Sequence, residues 1–214
     1  MGKSRKIDLY VFRHGETDWN REMRWQGHRD IPLNGTGRQQ AFNLIGPLQS
    51  LRPTHIISSD LVRALETAKM VATALGCSLT SHAGFRELGF GEAEGLTFEE
   101  IGQRFGRDAQ NRIRSTQESD LDFSLPGGES KRELLARAFL ALEQLLIHGE
   151  ELAHHEVVGL ATHGGVIRTF LQMCGLRDRA QIAIPNGSLF HFEYETFPAR
   201  LIYRRQVDEV SEDG

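Results

Sequence analysis

Apolar positions along the chain fall into short β-rich runs separated by longer stretches with helical spacing, and the two kinds alternate. The runs Ile7–Phe12, His55–Ser58, Ser78–Ser81, Glu156–Ala161, Ser188–Tyr194 and Arg200–Arg205 read as strands. A first helix is predicted from Gly37 to Leu51, opened by Thr36. A second runs from Leu61 to Leu75, with Asp60 as its N-cap and Leu61, Ala64, Leu65, Ala68, Val71, Ala72 and Leu75 on one face. Thr97 with Glu100, and Ser130 with Glu133, have capping-box spacing. From Ser130 to about His148 the residues Leu134, Leu135, Ala138, Phe139, Leu142, Leu145 and Leu146 form one apolar stripe. A last helix, Gly165 to Cys174, closes on Gly175.

Strand and helix in alternation predict an α/β protein, a three-layer α/β/α sandwich around a mostly parallel sheet. Between Gly91 and Gly128 the pattern loosens and turns polar, which reads as a small helical, cap-like excursion able to cover a site. The tail Asp208–Gly214 is acidic and turn-rich and reads as a disordered end. A length of 214 residues suits a single domain, residues 1–214, burying about 70% of its unfolded surface.

Composition narrows the function classes. No run reaches the roughly 18 apolar residues of a membrane span. The basic start Met1-Gly2-Lys3-Ser4-Arg5-Lys6 leads into a segment too short and mixed for a signal peptide, and it lacks the hydroxyl residue of a myristoylation motif. Cys77 and Cys174 have neither metal-ligand nor redox spacing, so free thiols in a reducing cytoplasm are expected. A net charge of −4 argues against a nucleic-acid partner. It leaves an anionic small substrate open, because local charge sets a pocket.

The chemistry collects where predicted strands end. Arg13-His14-Gly15 follows the first strand, Ser58-Ser59-Asp60-Leu61-Val62-Arg63 the second, and Thr162-His163-Gly164-Gly165 the fourth. Ligands of open α/β sheets bind at the carboxyl ends of strands, so these segments converge on one face. The last two also open helices, whose first N–H groups favour an anion. Each piece alone has a plain structural reading; three together suggest an imidazole poised among phosphate-holding arginines. His154-His155-Glu156 is no chelate, since adjacent residues of a strand point to opposite faces.

These segments resemble the histidine phosphatase superfamily, in the branch with cofactor-dependent phosphoglycerate mutases and bacterial phosphatases. The likeness rests on Arg13-His14-Gly15-Glu16-Thr17 with Asn20, Gln26-Gly27, Asp30 to Asn34, Ser58 to Ala68, Arg86-Glu87-Leu88 with Gly95, Thr162 to Gly165, and the pair Asn186 and Ser188. It departs at Ala93, where many relatives carry a tryptophan. The resemblance implies His14 as nucleophile and Glu87 as general acid and base. It also implies Arg13, Arg63 and His163 around the phosphoryl oxygens, and Asn20, Gln26, Gly27 and Gly164 at the phosphate or substrate. To donate a proton near neutral pH, Glu87 must be kept protonated by burial or by the phosphate; its alternative is an ion pair with a pocket arginine. No metal or other cofactor is implied, and a homodimer is common among such enzymes.

Three functions suit this scaffold: a phosphomonoesterase for small metabolites, a phosphoglycerate mutase, or a quiet phosphate-binding module. The full residue set argues against the last. The mutases resembled are longer after the acid, with basic residues there. Here Gly95 to Glu100 is short and acidic, which favours hydrolysis. Arg104, Arg107, Arg112 and Arg114 are either surface residues or contacts to a second anionic group.

Overall fold

The computed structural model describes residues 5–149, 152, 154–176 and 182–207, so the expected tail 208–214 lies outside the described residues. Strands β1 (Lys6–Arg13), β2 (His55–Ser58), β3 (Ser78–Ser81), β4 (Val157–Thr162), β5 (Leu189–Thr196) and β6 (Ala199–Val207) form one sheet in the order β3-β2-β4-β1-β5-β6. The pairs β3–β2, β2–β4 and β4–β1 are parallel, whereas β5 and β6 extend the sheet antiparallel beyond β1. This is the expected mostly parallel α/β architecture.

Both faces of the sheet are covered, and the strands show why. In β1 the side chains of Ile7, Leu9 and Val11 enter one core while Tyr10 and Phe12 enter the other. Ile57 and Ile56 in β2 divide in the same way, as do Leu160 and Ala161 in β4. Two-sided burial explains why the central strands read as nearly continuous apolar runs. The second core is closed by helices α2 (Gly35–Asn43), α3 (Ile45–Leu51) and α4 (Val62–Leu75). On the first lie α7 (Lys131–Leu146) and α8 (Gly164–Met173), together with α5 (Phe98–Phe105) and α6 (Arg107–Arg114) from the excursion. A short α1 (Asp18–Arg21) follows β1. No helix among the described residues is long and apolar enough to cross a membrane.

Two helix starts differ from expectation. The segment expected as one helix from Gly37 to Leu51 is two, opened by Asn34 rather than Thr36, with Asn34 Oδ1 accepting from the Gly37 N–H at 2.8 Å. It breaks at Leu44 because Pro47 has no N–H to give to the carbonyl four residues back. Helix α4 begins at Val62, and its N–H is taken by Asp30 Oδ1 at 2.6 Å, not by Asp60. Asp60 instead grips Arg86 through two bonds of 2.7 and 2.6 Å. The capping boxes at Thr97 and Ser130 are formed.

Candidate active site

The carboxyl ends of β1, β2 and β4 are neighbours in the sheet, and the segments that follow them line one pocket of about 600 Å³. Arg13, His14, Asn20, Gln26, Arg63, Glu87 and Gly164 all stand on its wall. His163 is fully buried beside it, its ring centroid 5.1 Å from that of His14. Gly27 lies behind Arg63, which it supports through its carbonyl.

His14 is 2% exposed and held in one tautomer. Its Nδ1 lies 2.7 Å from the carbonyl of Gly15. A carbonyl only accepts, so Nδ1 carries the proton and Nε2 keeps its lone pair. The turn is tight: a Cβ on Gly15 would sit 2.1 Å from the carbonyl oxygen of Gly37, which leaves no room for any other residue. Burial, then Arg63, then Arg13 hold the His14 imidazole well below the usual histidine range, against a smaller opposing effect of the Gly15 bond. His163 is depressed likewise, by burial first and then by Arg63. Its Nε2 is 2.8 Å from Ser59 Oγ, and its Nδ1 has no partner among the described residues.

The arginines are anchored from behind. Arg63 is fully buried and gives Nη1 to the carbonyl of Arg29 and Nη2 to that of Gly27, both at 2.8 Å. Burial lowers its pKa to about 10, so it remains a cation at neutral pH. Arg13 gives Nη1 to the carbonyl of Ile184 at 2.6 Å. The Nε of each arginine is buried without a partner among the described residues, a donor left over for a ligand. Asn20 Oδ1 accepts from Thr17 N–H and from Asn186 Nδ2, at 3.1 and 3.3 Å, so its amide N–H groups are the end left for the pocket. Gln26 is buried with Oε1 unpaired.

Glu87 makes no ion pair among the described residues; its carboxylate is fixed by backbone donors. Oε1 accepts from Leu88 N–H at 2.8 Å and from Gly165 N–H at 2.9 Å, in the first turn of α8. A Cβ on Gly165 would lie 2.1 Å from that oxygen. Gly165→Ala should therefore push the carboxylate aside and lower kcat by about 100-fold, the order expected for a misplacement near 1 Å. A steady-state assay beside a thermal melt checks this, since an unchanged melt assigns the loss to Glu87. The Glu87 segment is further held by Arg137 of α7, which gives Nη1 to the Gly84 carbonyl and Nη2 to that of Glu87, both at 2.8 Å.

Two buried neutral histidines tie stability to pH. Their folded pKa values are depressed, so below about 6.5 the unfolded chain takes up protons that the folded one refuses, and stability falls as pH falls. From pH 7.5 to 5.5 the loss should be about 3 kcal/mol for the pair. Denaturant titrations at the two pH values in phosphate-free buffer measure it; a flat response would mean that these rings are charged or exposed.

Several wall residues were not among the sequence candidates. Trp25 packs 4.5 Å from Phe90 and 6.3 Å from Phe98, centroid to centroid, and with Leu134 makes an apolar side to the pocket. Arg168, Thr169 and Gln172 continue the face of α8 begun by Gly164 and Gly165. Of the four excursion arginines, Arg114 lines the pocket, whereas Arg104 pairs with Glu92, Arg112 pairs with Asp120, and Arg107 is exposed away from the pocket wall. Ala93 is fully buried in the core with Ile101, so the expected departure there bears on packing of the excursion.

Residues 9–203 match the histidine phosphatase superfamily (branch 1). A protein of Salmonella paratyphi C described as probable phosphoglycerate mutase GpmB is 36% identical over 198 residues, covering 88% of this chain and 86% of its own. Among solved structures, a mycobacterial glucosyl-3-phosphoglycerate phosphatase in complex with VO3 superposes with a TM-score of 0.78 at 26% identity, over 94% of this chain and 98% of the other. Another, named mycobacterial hydrolase 1, gives a TM-score of 0.78 at 25% identity, over 98% and 100% of the two chains.

Proposed function

The chain belongs to the histidine phosphatase superfamily, branch 1, and from that membership and its pocket we propose that it hydrolyses small phosphomonoesters through a phosphohistidine on His14, without a metal ion. The observation that carries this reading is the His14 ring: proton fixed on Nδ1 by Gly15, Nε2 free, among Arg13, Arg63 and His163.

In the first step Nε2 attacks phosphorus, an N–P bond forms, and the bond from phosphorus to the ester oxygen breaks. The phosphoryl oxygens take donors from the two arginines and His163, which stabilise charge in a loose transition state. Glu87 gives its proton to the departing alkoxide. In the second step the Glu87 carboxylate takes a proton from water, the hydroxide attacks phosphorus, and the N–P bond breaks to release phosphate. Gly165 and Leu88 hold the carboxylate in place through both steps.

The name of the Salmonella relative keeps a second reading in view, transfer of the phosphoryl group back to a bound phosphoglycerate. Incubation with a panel of 32P-labelled phosphomonoesters in excess EDTA separates the two. Phosphate release with an acid-labile, base-stable phosphoenzyme is expected. Activity that vanishes in EDTA and returns with a divalent metal overturns the metal-free route. Interconversion of 2- and 3-phosphoglycerate without release makes the chain a mutase.

A further inference from the structure

We propose that Ser59 is a positioning residue of this pocket: its hydroxyl gives its proton to Nε2 of His163, which makes His163 an Nδ1–H donor and leaves His14 as the one nucleophile of the pair. Its effect on rate rests on the phosphomonoesterase reading; the position of the proton does not.

Two imidazoles stand side by side here, their centroids 5.1 Å apart, and burial and the same two arginines, Arg63 and Arg13, keep both neutral. Nothing in the rings themselves assigns one to attack and the other to donate. Their partners do. His14 Nδ1 meets a carbonyl, which only accepts, so its lone pair is left on Nε2. His163 Nε2 meets a hydroxyl, Ser59 Oγ at 2.8 Å, which can either give or take.

The surroundings of Ser59 decide between the two. A serine hydroxyl has one proton and two lone pairs. Ser59 is fully buried, and its Oγ already accepts from the Leu61 N–H at 3.3 Å, in the turn that leads into α4. If His163 also donated to Oγ, the hydroxyl proton would have no acceptor among the described residues. His163 Nδ1, which has no partner there either, would then be a bare lone pair. With the proton running from Oγ to Nε2, every capacity of Ser59 is used, and the one group left over is an Nδ1–H. A spare donor beside Arg13 and Arg63 suits a phosphoryl oxygen, whereas a lone pair would repel it.

The sheet holds the hydroxyl in place. Ser59 and His163 are the first residues after β2 and β4, which run parallel with Ser58 opposite Ala161. The Ser59 N–H carries that pairing past the strand end, to the Ala161 carbonyl at 2.9 Å. Ser58 is buried as deeply, but its hydroxyl goes to the Ser59 carbonyl at 2.7 Å.

Nitrogen-15 spectra of histidine-labelled protein in phosphate-free buffer at about pH 8, where histidine is neutral, test the assignment. Nε2 couples to both ring C–H protons and Nδ1 strongly to only one, so the pattern shows which nitrogen carries hydrogen. The His163 signals are those lost in His163→Gln. The intact protein should show His163 as the Nδ1–H tautomer. Ser59→Ala should lose that single tautomer, whereas Ser58→Ala, which removes the neighbouring buried hydroxyl, should keep it. Ser59→Thr retains a hydroxyl and should keep it as well. On a phosphomonoester that the intact enzyme hydrolyses, Ser59→Ala should lower kcat by about 10- to 100-fold, the order seen when the outer partner orienting a ligating histidine is removed. Ser59→Thr should recover part of that loss. An Nε2–H tautomer in the intact protein, a tautomer unmoved by Ser59→Ala, or full kcat in Ser59→Ala overturns the proposal. The expected tautomers in a protein that releases no phosphate keep the role of Ser59 and defeat the hydrolase reading. Release that depends on His14, beside an Nε2–H His163, does the reverse.

Discussion

Replacing His14 with alanine should lower phosphate release by about six orders of magnitude, the scale seen when an enzyme loses its nucleophile. The reason is specific to the ring's setting. On the proposed route Arg13, Arg63 and His163 hold the phosphoryl oxygens rather than attack phosphorus, and water in the vacated space is a poor nucleophile beside Glu87 acting alone. The same substitution should reduce acid sensitivity, because one of the two depressed histidines is gone. The loss of stability between pH 7.5 and 5.5 should fall by about half. A rapid-quench search for phosphoenzyme, with a denaturant titration at each pH, reads both effects. Persisting turnover would remove His14 from the mechanism, and an unchanged pH response would remove it from the linkage.

Arg63 carries the second large effect. Arg63→Met should reduce kcat/KM by about 100- to 1,000-fold on every monoester, the order expected when one transition-state donor is lost. It should also cost stability, because the buried Gly27 carbonyl loses its side-chain donor. Arg63→Lys separates the two roles. An ammonium restores charge but cannot bridge both carbonyls and still present an edge to phosphate. Lysine should recover part of the activity and little of the stability. Uniform loss across substrates is the signature of a phosphoryl contact; loss confined to a few substrates would place Arg63 against their organic part instead.

Much of this site could be read from the chain because its parts sit at the ends of strands. Arg13-His14-Gly15, Arg63 and His163-Gly164-Gly165 are each announced by a preceding apolar run, and parallel strands deliver their ends to one face. What sequence could not show was set by residues distant along the chain. Asp60 stands where an N-cap belongs, yet Arg86 draws its carboxylate away and Asp30 caps Val62 from another loop. Asn34 outcompetes Thr36 as a cap because it also bonds Glu16. Arg168 was legible in principle. Val166, Ile167, Phe170 and Leu171 of α8 are buried in the core, so the opposite face, with Gly164 and Arg168, had to border something else. The apolar wall of Trp25 and Phe90 gave no such signal, since their pairing crosses a loop that no periodicity describes.

The position of β1 has a consequence for how the chain is made. This strand leads into His14 and lies between β4 and β5, and Val157, the parallel partner of Asp8, follows it by about 150 residues. At roughly 5–20 residues per second, a ribosome needs on the order of 10–30 s to deliver that partner. For that time the segment Leu9-Tyr10-Val11-Phe12 is a sticky β-former without a sheet, flanked only by Lys6, Asp8 and Arg13. The strand that leads into His14 is thus made long before its partner and sheltered late, which makes synthesis at high temperature or high yield the condition under which this chain should need a chaperone most.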